Sequence, residues 1–277
     1  DQTRENRTPC AFTALNRTIL PGEALTLYSV IGYTAHEHIL QEFLSALRST
    51  PDLFQQKRAE NREIIDRIKN PTFTVSNAPI FDHYCQQTFL DNALRGGMPI
   101  TFDTATDKTV FRLYSRLHGD LERDYHWFVL EPTYLSQGSS FYRDANQNRR
   151  SETWFFPEIE DANIITFLSL SQTDGYNPLI LKGITFIADD VDEISARLSK
   201  LVPDETTKQA ILALVTKPFT PGELLMKLEE YAPQARESHE RILVDILSWC
   251  RQNEIGDIHE GYWVDHWFYN LDLINTY

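Results

Sequence analysis

Cysteine is scarce in this chain: Cys10, Cys85 and Cys250 are odd in number and far apart. Such spacing builds neither a disulfide framework nor a clustered zinc site, and a reducing cytoplasm is the simpler setting. No apolar run is long enough to span a bilayer, and no signal-peptide or lipidation pattern is present, so no membrane partner is expected. Positive charge is also short, 26 Lys+Arg against 40 Asp+Glu, which leaves a net charge of -14 with no long block of one sign. That balance argues against nucleic acid or an anionic membrane as partner, while neutral polar substrates stay easy to accommodate. A Gly-rich phosphate loop, a nucleophile elbow, a Cys-x-x-Cys pair and a long-period repeat are all missing. The triplets Asn6-Arg7-Thr8 and Asn16-Arg17-Thr18 fit the glycosylation pattern, but such triplets arise by chance and are discounted.

What is there is a chain of 277 residues, enough for one large domain or two modest ones. It opens Asp1-Gln2-Thr3 and stops at Asn275-Thr276-Tyr277 within what reads as a continuing helix, so a piece of a longer parent chain is expected. Two β-like stretches, Cys10 to Ala14 and Leu25 to Ile31, flank the turn signal Pro21-Gly22 and suggest the tail of a preceding β-domain over residues 1–34. Over 35–78, Ile39, Leu40, Phe43, Leu44 and Leu47, then Ile64, Ile65 and Ile68, recur at helical spacing in a charged background. A helical linker broken near Pro51 is expected there. A globular core then starts at Pro79 with a helix that stops at Gly96-Gly97 and continues to residue 277. Short extended runs are expected at Val110 to Tyr114 and Phe128 to Leu130. Further helices are expected at Ile164 to Leu168, after the capping box Thr220-Pro221-Gly222-Glu223, and at Ile242 to Cys250. The prediction is a mainly α protein with few, short strands, its helices paired antiparallel as in an α/α toroid.

Three constellations could carry chemistry. In Tyr142-Arg143-Asp144-Ala145-Asn146-Gln147-Asn148-Arg149-Arg150 nearly every long side chain is a planar or forked hydrogen-bonding group, the kind that grips two adjacent sugar hydroxyls at once. The same residues also fit a hydrogen-bonded loop before a helix, with Asp144 capping and the arginines in solvent. His118 to Trp127 sets Asp120, Glu122 and Asp124 beside an aromatic pair, and two such carboxylates could serve glycosidic cleavage; surface ion pairs are the plainer reading. His259 to Asn270 holds Tyr262, Trp263, Trp267 and Tyr269, which either finish a core or stack on sugars, with Asp265 and His266 between them. His259 and His266 match no zinc spacing, and no metal is expected.

At these residues the chain resembles the cellobiose phosphorylase type of glycoside phosphorylase, and the large bacterial relatives grouped with β-glucan phosphorylases. Tyr142-Arg143-Asp144-Ala145-Asn146-Gln147 is similar to the family's Phe-Arg-Asp-Ser-Asn-Gln, followed at a similar distance by Asp174-Gly175. Gly261-Tyr262-Trp263-Val264-Asp265-His266-Trp267 is similar to its Gly-x-x-x-Asp-Asp-x-x-Trp region. Asn148 stands where the family usually has aspartate, and His266 replaces the second aspartate of its pair. The resemblance implies a β-sandwich, a helical linker and an (α/α)6 catalytic barrel, of which 79–277 would be the first part. It implies phosphorolysis of a β-linked glucoside or oligoglucan with inversion, with inorganic phosphate as co-substrate and no other cofactor. Arg143, Asp144, Asn146, Gln147, Asn148, Trp263 and Asp265 would bind the sugar; no catalytic residue is assigned, because the family's acid falls after the matched region. The remainder of the parent chain is then a partner, and self-association is left open. Two other readings remain: an inverting hydrolase using Asp120, Glu122 or Asp265 around a water, or a sugar-binding module without chemistry.

Overall fold

The computed structural model describes residues 14–31, 37–103, 108–114, 133–232, 238–257 and 263–277. The chain forms two units, Asp1–Arg62 and Glu63–Tyr277, with the division inside the stretch read as a linker.

In the first unit, α1 (Glu37–Ser49) ends ahead of Pro51 and α2 (Leu53–Lys69) starts after it. Proline forces the preceding residue out of the helical region, so the break falls where the sequence places it. Helix α1 has an apolar stripe but buries no residue. The strand expected at Leu25 to Ile31 does not form, and the backbone there is irregular. A strand needs a neighbour to take up its N–H and C=O groups, and among the described residues none pairs with this segment. Tyr28 instead stacks on Phe54, ring centroids 4.4 Å apart, and accepts a hydrogen bond of 2.8 Å from Gln55. Residues 10–13 lie outside the described residues.

The second unit opens with α3 (Pro79–Gly96), whose bounds match the sequence signals. Pro79 sits in the first turn, where its missing N–H costs nothing, and Gly97 takes φ 87° to end the helix. Strands β1 (Met98–Asp103) and β2 (Lys108–Leu113) pair antiparallel, Met98 opposite Leu113. Then come β3 (Ser140–Phe141), α4 (Tyr142–Arg149), α5 (Glu152–Phe155) and α6 (Ala162–Ser169). A turn at Gly175 leads to β4 (Ile180–Ala188), which is central in a three-stranded antiparallel sheet ordered β3-β4-β5. Its partner β5 (Cys250–Asp257) was not foreseen, and the reason is visible in its composition: Cys-Arg-Gln-Asn-Glu-Ile-Gly-Asp offers almost no apolar alternation. Its strand state comes from its ladder to β4, with Ile180 opposite Asp257 and Ala188 opposite Cys250.

Between β4 and β5 the chain builds α7 (Val191–Leu201), α8 (Glu205–Val215), α9 (Pro221–Tyr231) and α10 (His239–Leu247). Asp190, Asp204 and Thr220 each accept a backbone N–H at their helix starts, and Thr220 with Glu223 completes the expected capping box. Each helix packs on the next, and Ile194, Leu198, Ile211, Phe219, Leu224 and Leu228 join Ile184 and Phe186 of β4 in one core. Phe219 also bridges its backbone to Phe186, with N–H to O distances of 2.7 and 2.9 Å. Helix α11 (His266–Thr276) follows. The described residues make a mainly helical protein with small antiparallel sheets; they show no toroid, and no described helix is long and apolar enough to cross a membrane.

Candidate functional site

The residues singled out in the sequence fall on α4 and at the start of α11, two elements in direct contact. Along α4 the buried positions are Tyr142, Ala145, Asn146 and Arg149, spaced as one face of a helix. Three of the four are polar or hold a polar atom, so hydropathy alone cannot pick this face. On α11 the buried positions are His266, Asn270 and Leu273, again one face. The contact between the helices is therefore built from hydrogen-bonding side chains and must be satisfied internally.

It largely is. Asn146 Nδ2 donates to Asn270 Oδ1 at 2.6 Å. Tyr142 Oη lies 2.9 Å from the Phe167 carbonyl, 3.0 Å from Asn270 Oδ1 and 3.4 Å from Asn177 Oδ1. Burial pushes the Tyr142 hydroxyl up to about 12, so it keeps its proton. The His266 ring stacks on Tyr142, centroids 4.7 Å apart, and burial lowers its affinity for a proton although Asp265 acts the other way. A neutral imidazole suits that apolar contact. Asn146 is thus committed to the protein interior, and His266 is a packing element.

The opposite face of α4 looks outward. Arg143 has its side chain 45% exposed and Asp265 34%; Nη1 stands 3.5 Å from Asp265 Oδ2. The guanidinium carbon lies 5.7 Å from the centroid of the Trp263 ring, which is itself exposed. A cation over an indole face is attracted by the ring quadrupole, and the carboxylate holds it in place. Residues distant in sequence are brought together here as a fork of N–H donors, an apolar plate and an acceptor. Trp267 fixes the approach of α11, its Nε1 donating to the Gly175 carbonyl at 3.1 Å, and Arg150 meets Asp272 at 3.6 Å.

Asp144, Gln147 and Asn148 are half-buried. Asp144 lies in the first turn of α4, where a carboxylate suits the helix dipole, but it makes no side-chain cap. Asn148 turns inward: its Nδ2 donates to the Asp144 carbonyl at 2.7 Å, and it lines a separate cavity with Phe89, Phe155 and Phe156. It does not join Arg143 and Trp263. Asp120, Glu122 and Asp124, and also His259 to Tyr262, lie outside the described residues.

Sequence reasoning missed a second polar cluster, under the far end of α4. Arg112 of β2, only 3% exposed, donates to Glu152 Oε2 at 2.6 Å and to Asn163 Oδ1 at 2.7 Å. Asn163 in turn donates to Glu152 Oε2 at 2.9 Å. Arg149 Nε donates to the Gly96 carbonyl at 2.6 Å, and burial, with Arg112 nearby, lowers its guanidinium to about 9. No spacing rule joins 112, 152 and 163; the one available signal was charge within stretches that otherwise read as core. Among the described residues no group of three or more His, Cys, Asp or Glu gathers as a metal site. Compared with protein-family models, with curated proteins and with solved structures, the chain matches none of them.

Proposed function

We propose that this chain supplies the sugar-holding surface of an inverting glycoside phosphorylase acting on a β-linked glucoside or oligoglucan, within an (α/α)6 catalytic barrel. The observation that carries the reading is the meeting of Arg143 with Trp263 and Asp265 on one exposed surface. These residues belong to the two segments whose sequence resembles that family. Arg143 presents several N–H donors in a rigid plane and spans two neighbouring hydroxyls, Trp263 offers a face for the C–H side of a pyranose, and Asp265 fixes the guanidinium. In the phosphorylase reaction phosphate attacks the anomeric carbon and one carboxylic acid protonates the leaving oxygen. None of the residues described here is assigned as that acid.

The test is calorimetric titration of the chain with β-linked gluco-oligosaccharides, beside incubation with and without inorganic phosphate while sugar 1-phosphate is followed. Arg143→Ala should weaken binding about tenfold or more, since a charge-assisted hydrogen bond contributes about 1.5 to 3 kcal/mol. Unchanged affinity in a folded variant would sink the assignment. Free sugar formed without phosphate would favour a hydrolase, and binding without turnover a non-catalytic module.

A further inference from the structure

Behind the three-stranded sheet lies a cavity of about 20 Å³, lined by Arg112, Arg149, Ser140, Thr166, Leu181 and Glu254 among others. It has room for a water molecule, and Arg112, Arg149, Ser140, Thr166 and Glu254 set polar groups among its apolar walls. Glu254 reaches it from β5. Its Oε1 accepts from Thr166 Oγ1 at 2.7 Å and from Gln252 Nε2 at 3.2 Å. Its Oε2 is buried and, among the described residues, has no hydrogen-bond partner. A carboxylate oxygen without a donor in the interior is costly, about 1 to 3 kcal/mol or more when charged.

The charges that face Glu254 come from each packed element: Arg149 of α4, Arg112 of β2 and, beyond it, Glu152 of α5. Arg112 is already held by Glu152 and Asn163, whereas Arg149 donates a side-chain hydrogen bond through its Nε, to Gly96, and lays its guanidinium carbon 5.6 Å from the centroid of the Phe167 ring. Arg149 and Glu254 line the same cavity without touching as an ion pair. A group that joins a guanidinium donor to a carboxylate acceptor across this cavity must accept from the first and donate to the second. Hydroxylic species do both, and water is the one that fits.

We infer that this cavity is an internal water site that bridges Glu254 on β5 to Arg149 on α4, coupling the edge of the sheet to the helix that carries Arg143. The bridge spares Oε2 its missing partner and gives the buried guanidinium a counter-charge at one remove. The coupling is independent of what the chain binds.

A crystal structure of the chain at a resolution that shows ordered solvent tests the site. The expected result is one solvent peak within hydrogen-bond distance of Glu254 Oε2 and of an Arg149 Nη; a cavity without ordered solvent, or Oε2 bonded directly to protein, overturns it. A thermodynamic cycle tests the coupling: Glu254→Gln with Arg149→Met should lower the Tm by less than the two single losses added. Strict additivity overturns the bridge. Should Arg149→Met fail to fold, the solvent peak decides alone.

Discussion

Between α7 and α10 the buried side chains are almost all hydrocarbon, Ile194, Leu198, Ile211, Leu224 and Leu228 among them, and the elements are held by area removed from water. Between α4 and α11 Ala145 and Leu273 are buried beside the polar Tyr142, Asn146, His266 and Asn270, and specific partners add to the apolar packing that holds the elements. Hydrocarbon packing is non-directional and tolerates a change of shape that keeps volume. A polar contact tolerates little, because each unpaired group carries its full desolvation cost. The rigid and demanding kind of packing lies under the candidate site, where a fixed orientation of Arg143 has value. The forgiving kind lies away from it.

The contrast can be broken by substitution. The largest effect is expected at Arg112→Met, which strands Glu152 in the interior and should cost about 3 to 5 kcal/mol in urea unfolding. A loss under about 1 kcal/mol would mean that the polar side of the unit is as tolerant as the helical group. Leu228→Met, fully buried but volume-conserving, should cost less than about 1.5 kcal/mol by the same measurement, and a larger loss would remove the distinction from the other end.

A smaller effect sharpens the comparison through pH. Burial raises the Glu254 carboxyl above its ordinary 4.5, so folding favours its protonated form. Its contribution to stability is complete below the ordinary value and is lost as pH rises through the raised one. Glu254→Gln lacks that titration. The variant's Tm relative to wild type should therefore climb as pH rises above 4.5, and a flat difference would contradict the assignment. Smallest of all, Arg143→Ala should change stability by about 1 kcal/mol or less, since its ion pair is exposed, and chemical unfolding would show a larger loss if α4 depended on it.

Signals that act locally were legible in the sequence. Pro79 and Gly97 bound α3, Thr220 with Glu223 starts α9, and Pro51 separates α1 from α2, because each works through its own backbone or its next turn. Strand β5 was not legible, since its conformation is imposed by β4. Nor was Leu25 to Ile31, where strand-like composition found no partner strand among the described residues. In the candidate site, the sequence singled out Arg143, Trp263 and Asp265, and the fold places them together. It could not separate them from Asn146 and Asn148, because which face of α4 is inward depends on Asn270 and Phe167, far along the chain. The Arg112, Glu152 and Asn163 cluster was invisible for the same reason.

The helices α7–α10 leave from Ala188 and return at Cys250, and these two residues stand opposite each other in the ladder. Neighbouring strands are only about 5 Å apart, so the whole helical group hangs from what is otherwise an ordinary hairpin end. It has the geometry of an insertion: a tight turn could replace it without shifting the register of β4 and β5. What such an excision would uncover is Phe186, whose ring the inserted helices and Phe219 now shelter. The graft and its host are thus separable in connectivity but share a core, and that shared core is what keeps a guest from behaving as an independent domain.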